Sequence, residues 1–352
     1  NTTGSSNTAI GVSALFSNTT ASYNTAVGYN ALLANTTGHS NVAIGTEALS
    51  TNIDGDGLVA IGYQALKAFE PSDGLRYTVA IGYKAGLLCT SGGDNVFIGG
   101  LSGTAVTDGN NNVAVGRSSL ATNQQGDKNV AVGYFALTTA NPSGNVDTYN
   151  TAVGYEAGAA VTTGTNNTLI GGLAGDAITT GQANTALGYR SLSATTTASS
   201  NTAIGVDALT SNTTGTSNTA VGRDTLNQQT TASYNTALGH QALNLNTSGA
   251  NNTASGFKAL YANTTGASNV AIGASAGDAI TTGNDNTTLG YRTLSQNTAS
   301  NRNTAIGSET LATFNVASDT HTYNTAVGYA AGNLVTTGVQ NTIVGALAGD
   351  AM

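Results

Sequence analysis

The residues Asn24-Thr25-Ala26-Val27-Gly28 decide the fold, because the same five-residue phrase returns at a fixed interval along the whole chain. The phrase closes on a glycine 20 times, and sixteen of the 19 intervals between these glycines have the same 17-residue spacing. The three exceptions are longer by three or four positions, and they run from Gly62 to Gly82, from Gly133 to Gly154 and from Gly307 to Gly328. A fixed period is typical of a solenoid, in which each repeat forms one coil that stacks on the last.

The composition of the repeat selects strands over helices. A solenoid repeat built from helices takes about 33 residues or more, and Gly, Thr, Asn and β-branched residues also oppose helix formation. Seventeen residues suffice for a coil of short strands and turns that stacks at about 4.8 Å. The sequence therefore predicts an all-β chain, a parallel β-roll or β-solenoid of about 20 coils with a 17-residue repeat, continuous as one domain over residues 1–352.

The two faces of the repeated strand differ in bulk. Counting the motif glycine as position 0, position −1 is Val, Ile or Leu in every repeat except one, and position −2 is mostly Ala. Because successive side chains in a strand alternate, we expect the Val/Ile face inside and the Ala/Gly face outside, flat enough for another backbone to approach. The predicted core includes Val27, Leu32, Ile44, Leu49, Ile61 and Leu66.

Position +4 shows a compensating exchange. It is Leu in most repeats but Gly in seven, which are Gly86, Gly103, Gly158, Gly175, Gly277, Gly332 and Gly349. In six of these, an apolar residue follows three positions later: Cys89, Val106, Val161, Ile178, Ile280 and Val335. A missing core Leu costs about 2–5 kcal/mol, so the exchange indicates that each coil keeps one buried apolar side chain. We expect Cys89 to be a small core residue, with an interchain disulfide as the alternative.

Polar positions repeat as strictly as apolar ones. Asn occupies position −4 in 18 of 20 repeats, and the exceptions are Leu58 and Thr78. In a parallel stack this column predicts a ladder of Asn side chains whose amides bond along the axis.

Composition and motifs exclude several functions. Charged residues are 8% of the chain and the net charge is −8, so no basic stripe is present for nucleic acid. No apolar run approaches the roughly 20 residues of a membrane span. The three histidines fall in different repeats, and no catalytic or phosphate-binding motif occurs. We expect no enzyme, no cofactor, no metal site, no nucleic-acid partner and no membrane insertion.

The phrases Asn41-Val42-Ala43-Ile44-Gly45 and Asn269-Val270-Ala271-Ile272-Gly273 resemble the head repeat of trimeric autotransporter adhesins. Similar repeats occur in bacteriophage tail fibres. This resemblance implies a left-handed roll, a homotrimer around a threefold axis, and an extracellular place on a cell surface or virion. The head coil of that family is typically shorter than the 17-residue repeat found here, so we expect a longer turn or a third side.

The resulting functional prediction is a non-enzymatic rod, an adhesin head or virus tail-fibre segment that presents binding surfaces to a cell-surface receptor or glycan. One alternative is a structural filament that self-associates end to end, since neither terminal repeat has an atypical cap. A second alternative is an ice-binding solenoid, since Thr ladders on flat β-faces can order water.

Three insertions near residues 67–77, 138–149 and 313–323 interrupt the period. Insertions in repeat proteins map to loops on one face, often the binding face, although they can instead only bend or pin the roll. The candidate receptor-binding residues are Phe69, Glu70, Asp73, Arg76, Tyr77, Asp147, Tyr149, Phe314, Asp319, His321 and Tyr323.

A column of tyrosines follows the motif glycine in many repeats. We expect it to form a packing ladder, with sugar binding as the alternative. It includes Tyr29, Tyr63, Tyr83, Tyr155, Tyr189, Tyr291 and Tyr329.

Overall fold

The computed structural model of the chain describes residues 1–70 and 76–350. It confirms an all-β, parallel β-solenoid of about 20 coils with the 17-residue repeat. Its contacts divide the chain into two compact units, Asn1–Gln182 and Ala183–Met352, and each unit is described by itself. One continuous domain, the hand of the coil and the homotrimer stay predictions.

Each unit contains ten three-residue strands among its described residues, one for each motif glycine. The strands of the first unit, with two extra two-residue strands, are β1 (Thr8–Ile10), β2 (Thr25–Val27), β3 (Val42–Ile44), β4 (Val59–Ile61), β5 (Val79–Ile81), β6 (Val96–Ile98), β7 (Val113–Val115), β8 (Gly126–Asp127), β9 (Val130–Val132), β10 (Val146–Asp147), β11 (Thr151–Val153) and β12 (Thr168–Ile170). Those of the second unit are β13 (Thr185–Leu187), β14 (Thr202–Ile204), β15 (Thr219–Val221), β16 (Thr236–Leu238), β17 (Thr253–Ser255), β18 (Val270–Ile272), β19 (Thr287–Leu289), β20 (Thr304–Ile306), β21 (Thr325–Val327) and β22 (Thr342–Val344).

The strands pair in parallel and in register with the motif. Ala26 of β2 pairs with Ala43 of β3, and Ala203 of β14 pairs with Ala220 of β15. The insertions do not break this register, because Val59 pairs with Val79 and Val130 with Thr151. The extra strands β8 and β10 form a separate parallel pair at the second insertion. Every repeat position therefore becomes a column of side chains.

The prediction of which strand face lies inside is wrong. Ala26, Ala43 and Ala60 at position −2 are fully buried, whereas Ile44 at position −1 is 38% exposed and Val27 and Ile61 are half-buried. The Leu column at +4 is in the core as predicted. The physical reason is the size of the interior. In the coils that carry Ala at position −2, the leucines and two Asn columns fill the interior, and a methyl group fits beneath the strand.

The exchange at position +4 has a backbone cause as well as a packing cause. This position has a φ near +50° to +60° in every repeat, whether it is Leu32 or Gly86. A left-handed residue other than Gly costs roughly 1–2 kcal/mol, so burial of the leucine side chain must offset that cost. We call the coils with Gly at position +4 the glycine coils. In these coils the residue at +7 is buried as predicted, including Cys89 and Val106.

A second source of bulk in the glycine coils comes from position −2, where the usual Ala is replaced. Phe97, Leu169 and Ile343 stand there, each in the second of two consecutive glycine coils. A Cβ on Gly86 would lie 2.9 Å from Cδ2 of Phe97, and a Cβ on Gly103 would overlap the same ring. One large side chain thus fills the space that two missing leucines leave.

Asn side chains join neighbouring coils in two buried columns. At position −4, Oδ1 of Asn24 accepts the backbone N–H of Asn41 at 2.9 Å, and Nδ2 of Asn24 donates to the carbonyl of Gly38 at 2.8 Å. At position +7, Nδ2 of Asn52 donates to Oδ1 of Asn35 at 3.1 Å. The predicted ladder is confirmed, and most of its rungs join a side chain to backbone. Buried polar groups are satisfied in this way.

The motif glycine is required by its backbone. Gly28 has a φ of 136°, and a Cβ on it would lie 2.6 Å from the carbonyl oxygen of Gly45 in the next coil. No other residue combines that conformation with so close an approach. The phrase therefore ends in Gly wherever two coils stack.

Candidate interaction surfaces

The outward face of the strands forms an apolar strip along each unit. We define the strip as the residues at positions −3 and −1, which alternate with the buried Ala. Leu187, Leu238 and Ile272 of the second unit are 44%, 51% and 42% exposed. Because the strands are in register, the position −1 side chains of successive coils stand about one strand spacing apart in a continuous column. The strip presents Val, Ile, Leu and Thr side chains, with Ser255 as the one exception, and no charged residue.

Next to the strip, the residues at position +1 form a second outward column, the tyrosine ladder. The rings of Tyr63 and Tyr83 stack with centroids 5.5 Å apart and planes 12° apart. Tyr134 and Tyr155 stack at 5.7 Å and 4°. The predicted packing ladder is therefore confirmed at these rungs, and its rings remain about half exposed.

The first insertion is part core and part surface. Phe69 is fully buried, so it packs in the core and presents no surface to a partner. Oε2 of Glu70 accepts the backbone N–H of Ile53 at 2.7 Å, and burial raises the pKa of Glu70. Arg76 is half-buried, whereas Tyr77 is 57% exposed. Asp73 lies outside the described residues.

The second insertion ends in an exposed polar cluster. Nζ of Lys128 donates to Oδ2 of Asp147 at 2.7 Å, and the hydroxyl of Tyr149 donates to the same oxygen at 2.8 Å. Lys128 also lies 5.1 Å from the centre of the Tyr149 ring. The hydrogen bonds from Lys128 and then Tyr149 lower the pKa of Asp147. This cluster holds Tyr149 outward from the coil.

At the third insertion, as at the second, a basic side chain from an earlier coil binds the hydroxyl of an exposed tyrosine. Phe314 is fully buried, like Phe69. Nη1 of Arg302 donates to the hydroxyl of Tyr323 at 2.8 Å, and this bond raises the pKa of Arg302. Oδ1 of Asp319 accepts Nδ2 of Asn301 at 2.6 Å, and the ring of His321 lies 5.8 Å from that of Tyr323.

The structure thus brings Asp147 together with Tyr149, and His321 together with Tyr323, and it separates the roles of the candidate residues. The two phenylalanines are core residues, and the exposed tyrosines at the three insertions are Tyr77, Tyr149 and Tyr323. The sequence analysis placed the strip residues inside the coil and so missed this surface, although the alternation of large and small side chains along the strand was visible in the sequence.

Two further searches cover the described residues only. No helix there has the length and apolar character that a membrane span needs. No three His, Cys, Asp or Glu residues there are grouped closely enough to hold a metal ion.

Comparisons with protein-family models, with curated proteins and with solved structures found no match to this chain.

Proposed function

We propose that this protein is a structural segment of an extracellular attachment protein, either an adhesin head or a virus tail fibre, and that it works as a homotrimer. The observation that carries the proposal is the apolar strip. Contiguous exposed apolar surface beyond a few hundred Å² marks an interaction site in soluble proteins. Here large aliphatic side chains stand outward in successive coils of each unit.

The proposed partner of the strip is the strip of another copy. An interface of Val, Ile, Leu and Thr side chains is self-complementary, since it carries no charge that a copy would have to match. Regular spacing favours the same conclusion, because identical columns share one period. The threefold arrangement is taken from the resemblance of the repeat to adhesin heads.

In this proposal the function is mechanical and multivalent. Association of the strips leaves the insertions as the irregular outer features, with Tyr77, Tyr149 and Tyr323 exposed on each chain. Three copies give three equivalent sets of contacts to a receptor or glycan on a target surface, and linked contacts raise the overall affinity without new chemistry. No catalytic step is proposed.

The test is the mass of the purified chain in solution, measured by light scattering after size exclusion. We expect three chain masses for the natural sequence. The variant Ile272→Asp places a charge in the strip and is expected to lower the mass. The matched control is Thr265→Asp on an exposed turn of the same unit, which is expected to leave the mass unchanged.

Two other results of this measurement contradict the proposal. A monomeric natural chain leaves the strip without its partner and refutes the homotrimer. Very large species of variable mass, insensitive to Ile272→Asp, favour a filament that grows end to end.

A specific observation favours ice binding as the second candidate function. Five consecutive strands of the second unit carry Thr at position −3 in one column: Thr185, Thr202, Thr219, Thr236 and Thr253. This column lies on the outward face of the strands. Ice crystals grown with the protein test it, and unshaped crystals at high protein concentration exclude the function.

A further inference from the structure

Gly100 of the first unit stands at position +1, in the column where five coils of that unit carry a tyrosine. The column also lacks a ring at Val12, Thr46, Arg117 and Gly172. The registers of β5 with β6 and of β6 with β7 place Gly100 between Tyr83 and Arg117, the +1 residues of the flanking coils. A Cβ built on Gly100 would meet no atom within 4 Å. The space directly outward from the Cα of Gly100 is therefore open, and we name this position the Gly100 slot.

Gly100 is not required by the backbone. Its φ lies outside the left-handed region, unlike that of the adjoining motif residue Gly99, whose φ is 128°. A Cβ at this position would meet neither strain nor a clash. The slot is thus a feature of the surface and not a consequence of how the coils stack.

The width of the slot fits one six-membered ring. Tyr83 and Arg117 belong to coils two steps apart, so their rungs are about 9.6 Å apart. A ring inserted midway stands about 4.8 Å from each neighbour, within the range of stacked rings. Two rings do not fit, and an aliphatic chain leaves both faces poorly packed.

The flanks of the slot are cationic. Nζ of Lys84 lies 5.2 Å from the centre of the Tyr83 ring, and Cζ of Arg117 lies 5.8 Å from the centre of the Tyr134 ring. Neither cation forms an ion pair with a carboxylate among the described residues. They are two of only 10 basic residues in a chain whose net charge is −8.

A comparable gap elsewhere in the ladder lies beside a carboxylate that is already paired. Thr46 replaces a ring between Tyr29 and Tyr63, and the residue beside it is Glu47. Glu47 is paired with Lys67 at 2.7 Å, so that gap offers no free cation. The Gly100 slot therefore combines a missing ring with two cations that form no ion pair within residues 1–70 and 76–350, and the Thr46 gap serves as its internal control.

We infer that the Gly100 slot binds an acidic sugar residue, a pyranose ring that carries a carboxylate, as part of a surface polysaccharide. One face of the sugar stacks on Tyr83, and its carboxylate accepts hydrogen bonds from Arg117 and Lys84. The repulsion from the net negative charge is screened beyond about 8 Å at physiological salt, so the nearby cations dominate at the slot. This inference rests on the proposed function and names the class of glycan that the protein attaches to.

The experiment titrates the full chain with trigalacturonic acid and, separately, with the neutral trisaccharide maltotriose, by calorimetry. We expect trigalacturonic acid to bind at least about tenfold more tightly, as a charge-assisted hydrogen bond predicts. Gly100→Tyr fills the missing rung and is expected to abolish binding. Arg117→Gln is expected to weaken it about tenfold or more. The control Thr46→Tyr fills the gap at Thr46 and is expected to leave binding unchanged.

Four results overturn the inference: no binding to the natural chain, equal binding of the neutral trisaccharide, binding that survives Gly100→Tyr, or binding that is lost equally in Thr46→Tyr. Light scattering on the same samples distinguishes a failure of the sugar-binding inference from a failure of the proposed homotrimer. A trimer that binds no sugar refutes only the slot. A mass that falls in Gly100→Tyr shows that a second copy occupies the gap, which also overturns the sugar assignment.

Discussion

Replacing Phe97 by Ala tests how a glycine coil fills its core. The Phe97 ring is fully buried between Gly86 and Gly103, and no other side chain replaces it in that space when it is truncated. Large-to-small changes of this kind cost about 3–5 kcal/mol of unfolding free energy. We expect Phe97→Ala to fall in that range, whereas a change in the exposed turns costs little.

A second variant, Gly103→Leu, tests the same space by adding a side chain to it. In the natural chain the new leucine overlaps the Phe97 ring, and overpacking costs about 1–3 kcal/mol. The left-handed backbone adds roughly 1–2 kcal/mol, which the ordinary coils already tolerate at Leu120. In the Phe97→Ala background the leucine instead occupies the cavity. The double variant is therefore expected to be more stable than the sum of the single effects by about 2–3 kcal/mol.

The assay is urea denaturation of the four proteins, followed by circular dichroism, as a double-mutant cycle. The natural chain, the two single variants and the double variant are compared in one buffer. Additive effects refute the reasoning, because they show that Phe97 and position 103 do not share one space. A Phe97→Ala protein as stable as the natural chain refutes the burial on which the magnitude rests.

Three further predictions concern other positions. Asn252→Ala leaves the buried backbone N–H of Asn269 without its acceptor and is expected to cost about 1–3 kcal/mol in urea denaturation; an unchanged midpoint contradicts the ladder. Burial raises the pKa of Cys89 from 9.0 to about 12, so the folded state keeps a proton that the unfolded state loses, and stability should fall as pH rises from 9 towards 12; Cys89→Val should remove that part of the loss. Lys128→Met should raise the pKa of Asp147 towards its ordinary value, as measured by NMR titration, and a pKa that stays low contradicts the pairing.

The sequence predicted the coil from spacing alone, because strict columns in a parallel stack need one period and one register. It also predicted that Leu32 is buried and that the Asn side chains form a column, because the residue type at positions +4 and −4 varies little between repeats. The inside and outside of the strand were assigned wrongly, because alternation separates two faces without saying which is enclosed. The usual preference of large apolar residues for the core fails where the interior holds only a methyl group beneath the strand.

The repeats that lack Ala at position −2 indicated which face of the strand is buried. Phe97, Leu169 and Ile343 replace Ala at position −2 only where two consecutive coils have lost their leucine. A residue that grows when a core residue shrinks must share its space, so this column lies inside. The insertions offered no such pairing, and Phe69 therefore could not be told from Tyr77 by residue type alone.

The outward orientation of the larger strand side chains connects the fold to its proposed role. A coil that encloses Ala26 beneath its strand must turn Thr25 and Val27 outward, and the next coil repeats the same choice in register. Lengthening the solenoid therefore extends the exposed apolar strip by about 4.8 Å for each coil, and burial against a partner then stabilises it in proportion to its area. A repeat of this kind favours association of long stacks over short ones. This is the property that a fibre made of parallel chains requires.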